Sequence, residues 1–137
     1  MADFPQLRFR RLRRKEPLRA LVRENHVDIG DLIYPLFVIE STGVTQEIPS
    51  MPGICHFSVD RLPREIEEIT KLKIPAVILF GLPEHKDEVG SEAYNPNGVI
   101  QQAIRNIKQY APELLVVTDV CLCEYTSHGH CGVIIND

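Results

Sequence analysis

The chain has 137 residues, of which 44% are hydrophobic and 25% are charged, and its net charge is −4. This length and composition are typical of one globular domain and exclude an intrinsically disordered chain. The sequence holds no apolar run of about 18 residues and no signal-like segment in residues 1–14, so we expect a cytoplasmic protein without a membrane partner.

Residues 1–30 are predicted to form a basic N-terminal arm. Residues 1–23 carry eight basic side chains against two acidic ones, a charge of +6 that leaves −10 for residues 24–137. Apolar residues are interleaved with these charges, namely Leu7, Phe9, Leu12, Leu18, Leu21 and Val22. Because apolar side chains at this density favour burial, we expect the arm to dock on a protein surface rather than to bind nucleic acid.

The apolar run at 33–40 predicts the first strand after the arm, because it is rich in β-branched and aromatic residues. Residues 41–57 are rich in Gly, Pro, Ser and Thr and predict an irregular connection. A helix follows, with Ser58 or Asp60 as its N-cap and Pro63 in its first turn. Its apolar stripe is formed by Leu62, Ile66, Ile69 and either Leu72 or Lys73.

The continuous apolar run at 76–82 predicts a strand that is covered on both faces. After a polar loop, Asn95 and Pro96 are predicted to cap and open a second helix. One face of that helix carries Val99, Ala103, Ile104, Ile107 and Ala111. Pro112 ends the helix, and residues 114–118 predict a third buried strand.

The predicted order is therefore strand, helix, strand, helix, strand, which indicates a parallel α/β architecture. Doubly wound sheets and (β/α)8 barrels share this order. No G-x-G-x-x-G or P-loop glycine pattern follows a strand, which argues against a nucleotide site. Because a full barrel takes about 250 residues, we expect the chain to be a fragment of a longer protein or to be completed by a partner.

A metal site is predicted in residues 119–132, which read Asp-Val-Cys-Leu-Cys-Glu-Tyr-Thr-Ser-His-Gly-His-Cys-Gly. Alternate residues of an extended chain point to the same side, so Asp119, Cys121 and Cys123 are predicted to share a face. They follow the third strand, at the end of a parallel sheet where active sites lie. A glycine-containing turn can return Cys131 to the same point, and three thiolates suit tetrahedral zinc.

The fourth zinc position distinguishes a structural site from a catalytic one. A structural zinc takes four protein ligands, which here requires His128 or His130, whereas a catalytic zinc keeps an open position. With an open position, His130 would lie behind the ligands and support them. Asp119 either hydrogen-bonds loop backbone or serves as a polar active-site residue, and Cys55 stands alone without a predicted role.

The 119–132 segment is very similar to the zinc segment of porphobilinogen synthases, also called 5-aminolevulinate dehydratases. Further similarity to that family's N-terminal part lies in the Arg-Phe-Arg-Arg-Leu-Arg-Arg arm and in residues 31–38, 74–81 and 90–94. The resemblance implies a (β/α)8 barrel, whose first three βα units would occupy residues 31–137. It also implies that the 1–30 arm wraps a neighbouring subunit, usually in a homo-octamer.

The resemblance further implies a lyase that condenses two 5-aminolevulinate molecules to porphobilinogen in tetrapyrrole (heme) synthesis. Cys121, Cys123 and Cys131 match the ligands of the family's Zn²⁺-dependent branch, and Asp119 matches an active-site aspartate. The zinc would bind and polarise the second substrate molecule. The family's two Schiff-base lysines lie on later strands, and none of this chain's lysines matches them: Lys15, Lys71, Lys73, Lys86 and Lys108. The chain alone is therefore expected to be inactive.

Two other functions are compatible with the residues alone. One is a non-catalytic zinc-binding module whose basic arm contacts protein or nucleic acid. The other is a parallel α/β enzyme of different chemistry, for example a hydrolase that activates water on the same zinc.

Overall fold

The structure is a computed structural model that describes residues 10–135 as an α/β fold on one five-stranded sheet. The strands are β1 (Ile33–Ile39), β2 (Thr45–Glu47), β3 (Cys55–Ser58), β4 (Ala76–Leu82) and β5 (Leu115–Thr118). The helices are α1 (Glu16–Leu21), α2 (Leu62–Lys71) and α3 (Val99–Tyr110). Short 3-10 turns lie at Arg11–Arg13, Ile29–Asp31, Val59–Arg61 and Ser91–Ala93.

The sheet order is β2-β3-β1-β4-β5, and β1, β4 and β5 are parallel neighbours in chain order. Tyr34 pairs with Val77, which in turn pairs with Val116. Helices α2 and α3 contact each other and therefore cover the same face of the sheet. The predicted parallel α/β arrangement is thus confirmed.

The hydrophobic core lies between this face of the sheet and the two helices. β1 and β4 contribute alternate residues, because successive side chains of a strand point to opposite faces. Fully or almost fully buried core residues are Leu36, Val38, Val77, Leu79, Leu62, Ile66, Ile69, Val99, Ala103 and Ile107. The predicted stripes of both helices are confirmed except at the end of α2, where Leu72 is 60% exposed and Lys73 is also exposed.

The opposite face of the sheet is apolar and half-buried. The rings of Phe37 and Phe80, which are paired across β1 and β4, stack with centroids 5.2 Å apart. Pro35 and Ile78 lie next to them on this face and are also half-buried. The sheet therefore has a second apolar surface away from the helices.

The prediction that 41–57 is irregular is wrong, because the segment contains β2 and β3. β3 pairs in parallel with β1 and antiparallel with β2. β3 has only four residues and β2 only three, so their stability comes from pairing across the sheet rather than from a local pattern. The prediction of a buried third strand is also wrong, since Leu115 in β5 is 59% exposed at the edge of the described sheet.

The predicted N-cap of α2 is wrong because a 3-10 turn precedes the helix. Arg61 occupies the cap position without a side-chain hydrogen bond. The Asp60 carboxylate instead accepts hydrogen bonds from the Gly43 backbone N–H, at 3.0 Å, and from the Ser58 hydroxyl, at 2.6 Å. Both predicted capping residues therefore stabilise the preceding loop.

The predicted cap of α3 is wrong for a similar reason. Gly98 occupies the cap position, and the helix begins at Val99. The Asn95 side chain accepts from the Asn97 N–H at 2.9 Å, so Asn95 and Pro96 form a turn before the helix.

The described part of the arm begins at Arg10 and contains α1 and the turn at Arg11–Arg13. Every residue from Arg10 to Ile33 is exposed. The predicted apolar residues Leu7 and Phe9 lie outside the described residues. Docking of the arm therefore stays a prediction. No helix in residues 10–135 has the length and apolarity to span a membrane.

Candidate metal centre

The sulfur atoms of Cys121, Cys123 and Cys131 form one cluster just beyond the end of β5. Cys131 Sγ lies 3.0 Å from Cys121 Sγ and 2.8 Å from Cys123 Sγ, and all three sulfurs lie within 4.8 Å of one another. A disulfide bond would need about 2.05 Å. The three free thiols could hold a metal ion.

The loop that carries the cysteines, residues 121–131, is defined here as the metal loop. Its first turn is closed by the Leu122 carbonyl, which accepts from the N–H groups of Tyr125 and Thr126, both at 2.9 Å. Thr126 is 2% exposed, and its hydroxyl donates to the His130 carbonyl at 2.9 Å. Gly129, with φ of +73°, permits the reversal between them. These bonds bring Cys131 back to the other two cysteines.

Hydrogen bonds between the thiols shift the pKa values of two of them in opposite directions. The bond with Cys131, followed by that with Cys121, raises the pKa of Cys123 to about 12. Bonds with Cys123 and Cys121 lower the pKa of Cys131 to about 7, with help from the N–H groups of Leu122 and Cys123. The cluster therefore stabilises one thiolate near neutral pH, and thiolate is the form that binds metals.

Neither neighbouring histidine is part of the sulfur cluster in residues 10–135. The rings of His128 and His130 stack with centroids 5.7 Å apart, and His130 N–H donates to His128 Nδ1 at 3.2 Å. His128 Nε2 lies 3.3 Å from the Glu88 carbonyl oxygen. The structure thus brings three sulfurs together without a histidine as fourth ligand.

Asp119 lies between β5 and the metal loop and is exposed. Its N–H donates to the Leu79 carbonyl at 3.3 Å, which extends the pairing of β5 with β4 by one residue. A cavity of about 320 Å³ is lined by Asp119, Cys121, Gln101 and Tyr125, among others. Asp119 and a metal ligand therefore border the same space, although β5 itself ends at Thr118.

This cavity has a negative electrostatic character. Burial, and then the charges of Glu124 and Asp119, raise the pKa of Tyr125 to about 12. Burial and the charge of Asp119 also raise the pKa of Glu124, against the opposing effect of the Lys86 charge. A bound cation would offset these unfavourable interactions.

No lysine lines this cavity within residues 10–135, although the charge of Lys86 lowers the pKa of Glu124. Lys71 Nζ lies 2.9 Å from a Glu68 oxygen and 3.0 Å from a Glu67 oxygen, and these bonds raise its pKa. Lys108 Nζ donates to the carbonyls of Pro112 and Leu114. The other three, Lys15, Lys73 and Lys86, are exposed. Cys55 is half-buried against the core and lies outside the sulfur cluster.

One structural partner of the metal loop was missed by the sequence analysis. Asp87 forms a parallel bridge with Thr126, and its carbonyl accepts from the Ser127 N–H at 2.9 Å. Gly90 has φ of +64°, and a Cβ there would lie 3.4 Å from the side chains of Leu122 and Thr126. Gly90 could be recognised in the sequence as a possible turn residue, but the sequence did not show which segment the turn approaches.

Comparison with known proteins gives consistent matches. The family model described as delta-aminolevulinic acid dehydratase matches residues 6–137. The chain is 55% identical over 132 residues to the delta-aminolevulinic acid dehydratase of Halalkalibacterium halodurans, which covers 96% of this chain and 40% of that protein. It is 48% identical to the Bacillus subtilis protein of the same name, over 95% of this chain and 42% of that protein.

A solved structure is similar over nearly the whole chain. It is the crystal structure of delta-aminolevulinic acid dehydratase (porphobilinogen synthase) from Toxoplasma gondii ME49 in complex with the reaction product porphobilinogen. The TM-score is 0.88 at 39% identity, over 96% of this chain and 38% of that chain. The chain thus spans about 40% of the length of such relatives. With a family model matched from residue 6 to residue 137, the chain belongs to the delta-aminolevulinic acid dehydratase family.

Proposed function

We propose that this chain is the N-terminal portion of a zinc-dependent porphobilinogen synthase. This lyase condenses two 5-aminolevulinate molecules to porphobilinogen, with loss of water, in heme biosynthesis. The observation that carries the proposal is the cluster of three sulfurs within 4.8 Å of one another, in a chain that matches the family model over residues 6–137. We also infer that the protein works in the cytoplasm.

Zinc is the ion that best suits this donor set. Three thiolates are soft ligands, and zinc accepts sulfur ligands at about 2.3 Å in tetrahedral geometry, which separates two sulfurs by about 3.8 Å. The sulfurs need to move apart by about 1 Å to reach that spacing. Cys131 lies on an exposed part of the metal loop, so this adjustment does not disturb the core.

In this proposal Cys121, Cys123 and Cys131 hold the ion, and a fourth position stays open for substrate. Zinc bound there supplies a Lewis acid that polarises an oxygen of the second substrate molecule. Asp119 borders the same cavity as Cys121, which supports a role in contacting substrate. His130, next to Cys131, is proposed to lie behind the ligands and support them, and its carbonyl accepts from the Thr126 hydroxyl at 2.9 Å.

The covalent part of the reaction needs residues other than those of this chain. A Schiff-base lysine must be neutral, which requires burial or a nearby cation. Lys71 has the opposite environment, since two glutamates raise its pKa, and Lys15, Lys73 and Lys86 are exposed. We therefore expect the 137-residue chain to bind zinc and to form no porphobilinogen.

The proposed architecture is the first three βα units of a (β/α)8 barrel in residues 31–137, preceded by an arm in residues 1–30. The parallel order of β1, β4 and β5 and the half-buried apolar face opposite the helices support it. The arm is proposed to contact a neighbouring subunit in a homo-octamer. Its exposed apolar side chains, such as Leu21 at 81%, support a protein partner over nucleic acid.

The test is an assay of the full-length gene product with 5-aminolevulinate, before and after removal of zinc by a chelator. We expect porphobilinogen to form with zinc present, to cease after chelation and to resume when zinc is restored. Activity that survives complete metal removal would contradict the zinc-dependent function. X-ray absorption that finds three sulfurs and one histidine nitrogen would instead favour the non-catalytic zinc module.

A further inference from the structure

We propose that Asp87 is a positioning residue for the metal centre, because its carboxylate fixes the turn on which the metal loop rests. The turn, residues 87–91, is defined here as the support turn. This inference rests on the metal-binding role proposed above for the three cysteines. Asp87 touches none of them and acts only through the backbone of the metal loop.

The Asp87 carboxylate holds the support turn through three hydrogen bonds. One oxygen accepts from the N–H groups of Ser91, at 2.9 Å, and Val89, at 3.1 Å. The other oxygen accepts a short hydrogen bond from the Ser91 hydroxyl. The Ser91 hydroxyl, followed by the N–H groups, lowers the pKa of this carboxyl, so it is charged at neutral pH and is a strong acceptor.

The support turn in turn holds the middle of the metal loop. The Asp87 carbonyl accepts from the Ser127 N–H at 2.9 Å, and the Glu88 carbonyl lies 3.3 Å from His128 Nε2. A Cβ at position 90 would lie 3.4 Å from the side chains of Leu122 and Thr126, so the support turn packs closely against the metal loop at Gly90, whose φ is +64°. Two consecutive residues of the metal loop, 127 and 128, are thus tied to two consecutive residues of the support turn.

These contacts bear on Cys131 more than on the other two ligands. Cys121 and Cys123 follow β5 directly, whereas Cys131 reaches the cluster only through the exposed end of the loop. Thr126, which pairs with Asp87, donates its hydroxyl to the carbonyl of His130, the residue before Cys131. Without the Asp87 carboxylate, the segment from Thr126 to Cys131 is more flexible before metal binds. More conformational entropy is then lost when the Cys131 sulfur binds the ion.

The expected effect is a loss of metal affinity. Outer partners that orient metal ligands typically contribute about 10- to 100-fold to affinity. Asp87 acts through one further step, so we expect about a 10-fold loss of zinc affinity for Asp87→Ala. Asp87→Asn keeps one acceptor oxygen and should lose less. The matched control is Glu88→Gln, since the Glu88 carboxylate makes no hydrogen bond within residues 10–135.

The experiment measures zinc affinity of the full-length gene product by competition with a chromophoric chelator. Cobalt(II) is a second probe, because thiolate-to-cobalt absorption reports how many sulfurs bind the ion. We expect Asp87→Ala to bind zinc about 10-fold more weakly, with weaker thiolate-to-cobalt absorption. The thermal midpoint of the metal-free protein should fall because three hydrogen bonds are lost, but the variant should stay folded at the assay temperature. Glu88→Gln should match the wild type in all three measurements.

Zinc affinity of Asp87→Ala within twofold of the wild type would overturn the inference, as would an equal loss of zinc affinity in Glu88→Gln. If Asp87→Ala does not fold, Ser91→Ala removes only the hydroxyl donor and should show a smaller loss in the same direction. No loss in Ser91→Ala would then reject the inference. A wild-type protein that binds no zinc would reject the proposed function itself, which is a distinguishable result.

Discussion

Gly81 in β4 lies directly against the hydroxyl of Tyr125, and a Cβ at position 81 would stand 2.6 Å from that oxygen. The same Cβ would stand 2.5 Å from Ile100 Cγ1 in α3. The sheet, α3 and the metal loop therefore meet at a point where only a glycine fits. Tyr125 is 8% exposed, so this contact anchors the start of the metal loop to the core.

Gly81→Ala is expected to destabilise the chain by about 1–3 kcal/mol, because Ile100 and Tyr125 must both shift. The free energy of unfolding in denaturant measures this loss. Gly30→Ala is the matched control, since its nearest neighbour would be the Asp28 carboxylate at 3.8 Å. That variant should stay within about 0.5 kcal/mol of the wild type. Equal effects of the two substitutions would contradict the packing argument.

Each of Cys121→Ser, Cys123→Ser and Cys131→Ser is expected to abolish tight zinc binding, since two thiolates cannot replace a three-sulfur site. Zinc content after dialysis should fall from about one ion per chain to near zero. Cys55→Ser is the control, because Cys55 lies outside the cluster. If Cys55→Ser loses zinc and the other three retain it, the ligand assignment is wrong.

A pH effect is expected from Tyr34, whose hydroxyl donates to Glu65 at 2.8 Å. Burial, followed by this hydrogen bond, raises the pKa of Tyr34 from 10.0 to about 12. The unfolded chain releases the proton near pH 10 and the folded chain near pH 12. The contribution to stability is therefore complete below about pH 10 and is lost as pH rises toward about 12.

Tyr34→Phe removes this dependence, and the measurement is the free energy of unfolding at several pH values between about 9 and 12. Two pKa units correspond to about 2.7 kcal/mol, and partial exposure of the ring reduces the effect below that value. Tyr110→Phe is the control because Tyr110 is 60% exposed. If Tyr34→Phe loses stability with pH as steeply as the wild type, Tyr34 is not the source.

The sequence predicted the parts of the fold whose signal is local and repeated. The stripe of Leu62, Ile66 and Ile69 and the apolar run at 76–82 each imply burial without knowledge of neighbours. β3 was not predictable in this way, because only pairing with β1 and β2 makes four residues a strand. The predicted cap of α2 was wrong because the Asp60 carboxylate accepts from the Gly43 N–H of the preceding loop rather than from its own helix.

The same distinction between local signals and tertiary contacts applies to the candidate site. Spacing alone grouped the three cysteines, because their positions after a strand and around a turn limit where the sulfurs can lie. The contribution of Asp87 depends on the loop between β4 and α3 returning to the metal loop. That return is a tertiary contact between residues 39 positions apart, with no periodic signal in either segment.

The arm provides the last prediction, which concerns assembly. Leu21 and Val27 are 81% and 84% exposed, so charged residues at these positions cost little within one chain. If the arm docks on a neighbouring subunit, these side chains are buried in the assembly, and a charge there leaves an unpaired ion in an apolar contact. We therefore expect Leu21→Glu with Val27→Glu to dissociate the full-length gene product without unfolding its subunits.

Sedimentation velocity measures the assembly, and circular dichroism measures the subunit fold. Leu72→Glu is the matched control, since Leu72 is 60% exposed but lies at the end of α2 rather than in the arm. It should leave both measurements unchanged. A double variant that keeps the wild-type sedimentation coefficient would show that these two arm residues are exposed in the assembly as well, and the arm contact would have to use other residues.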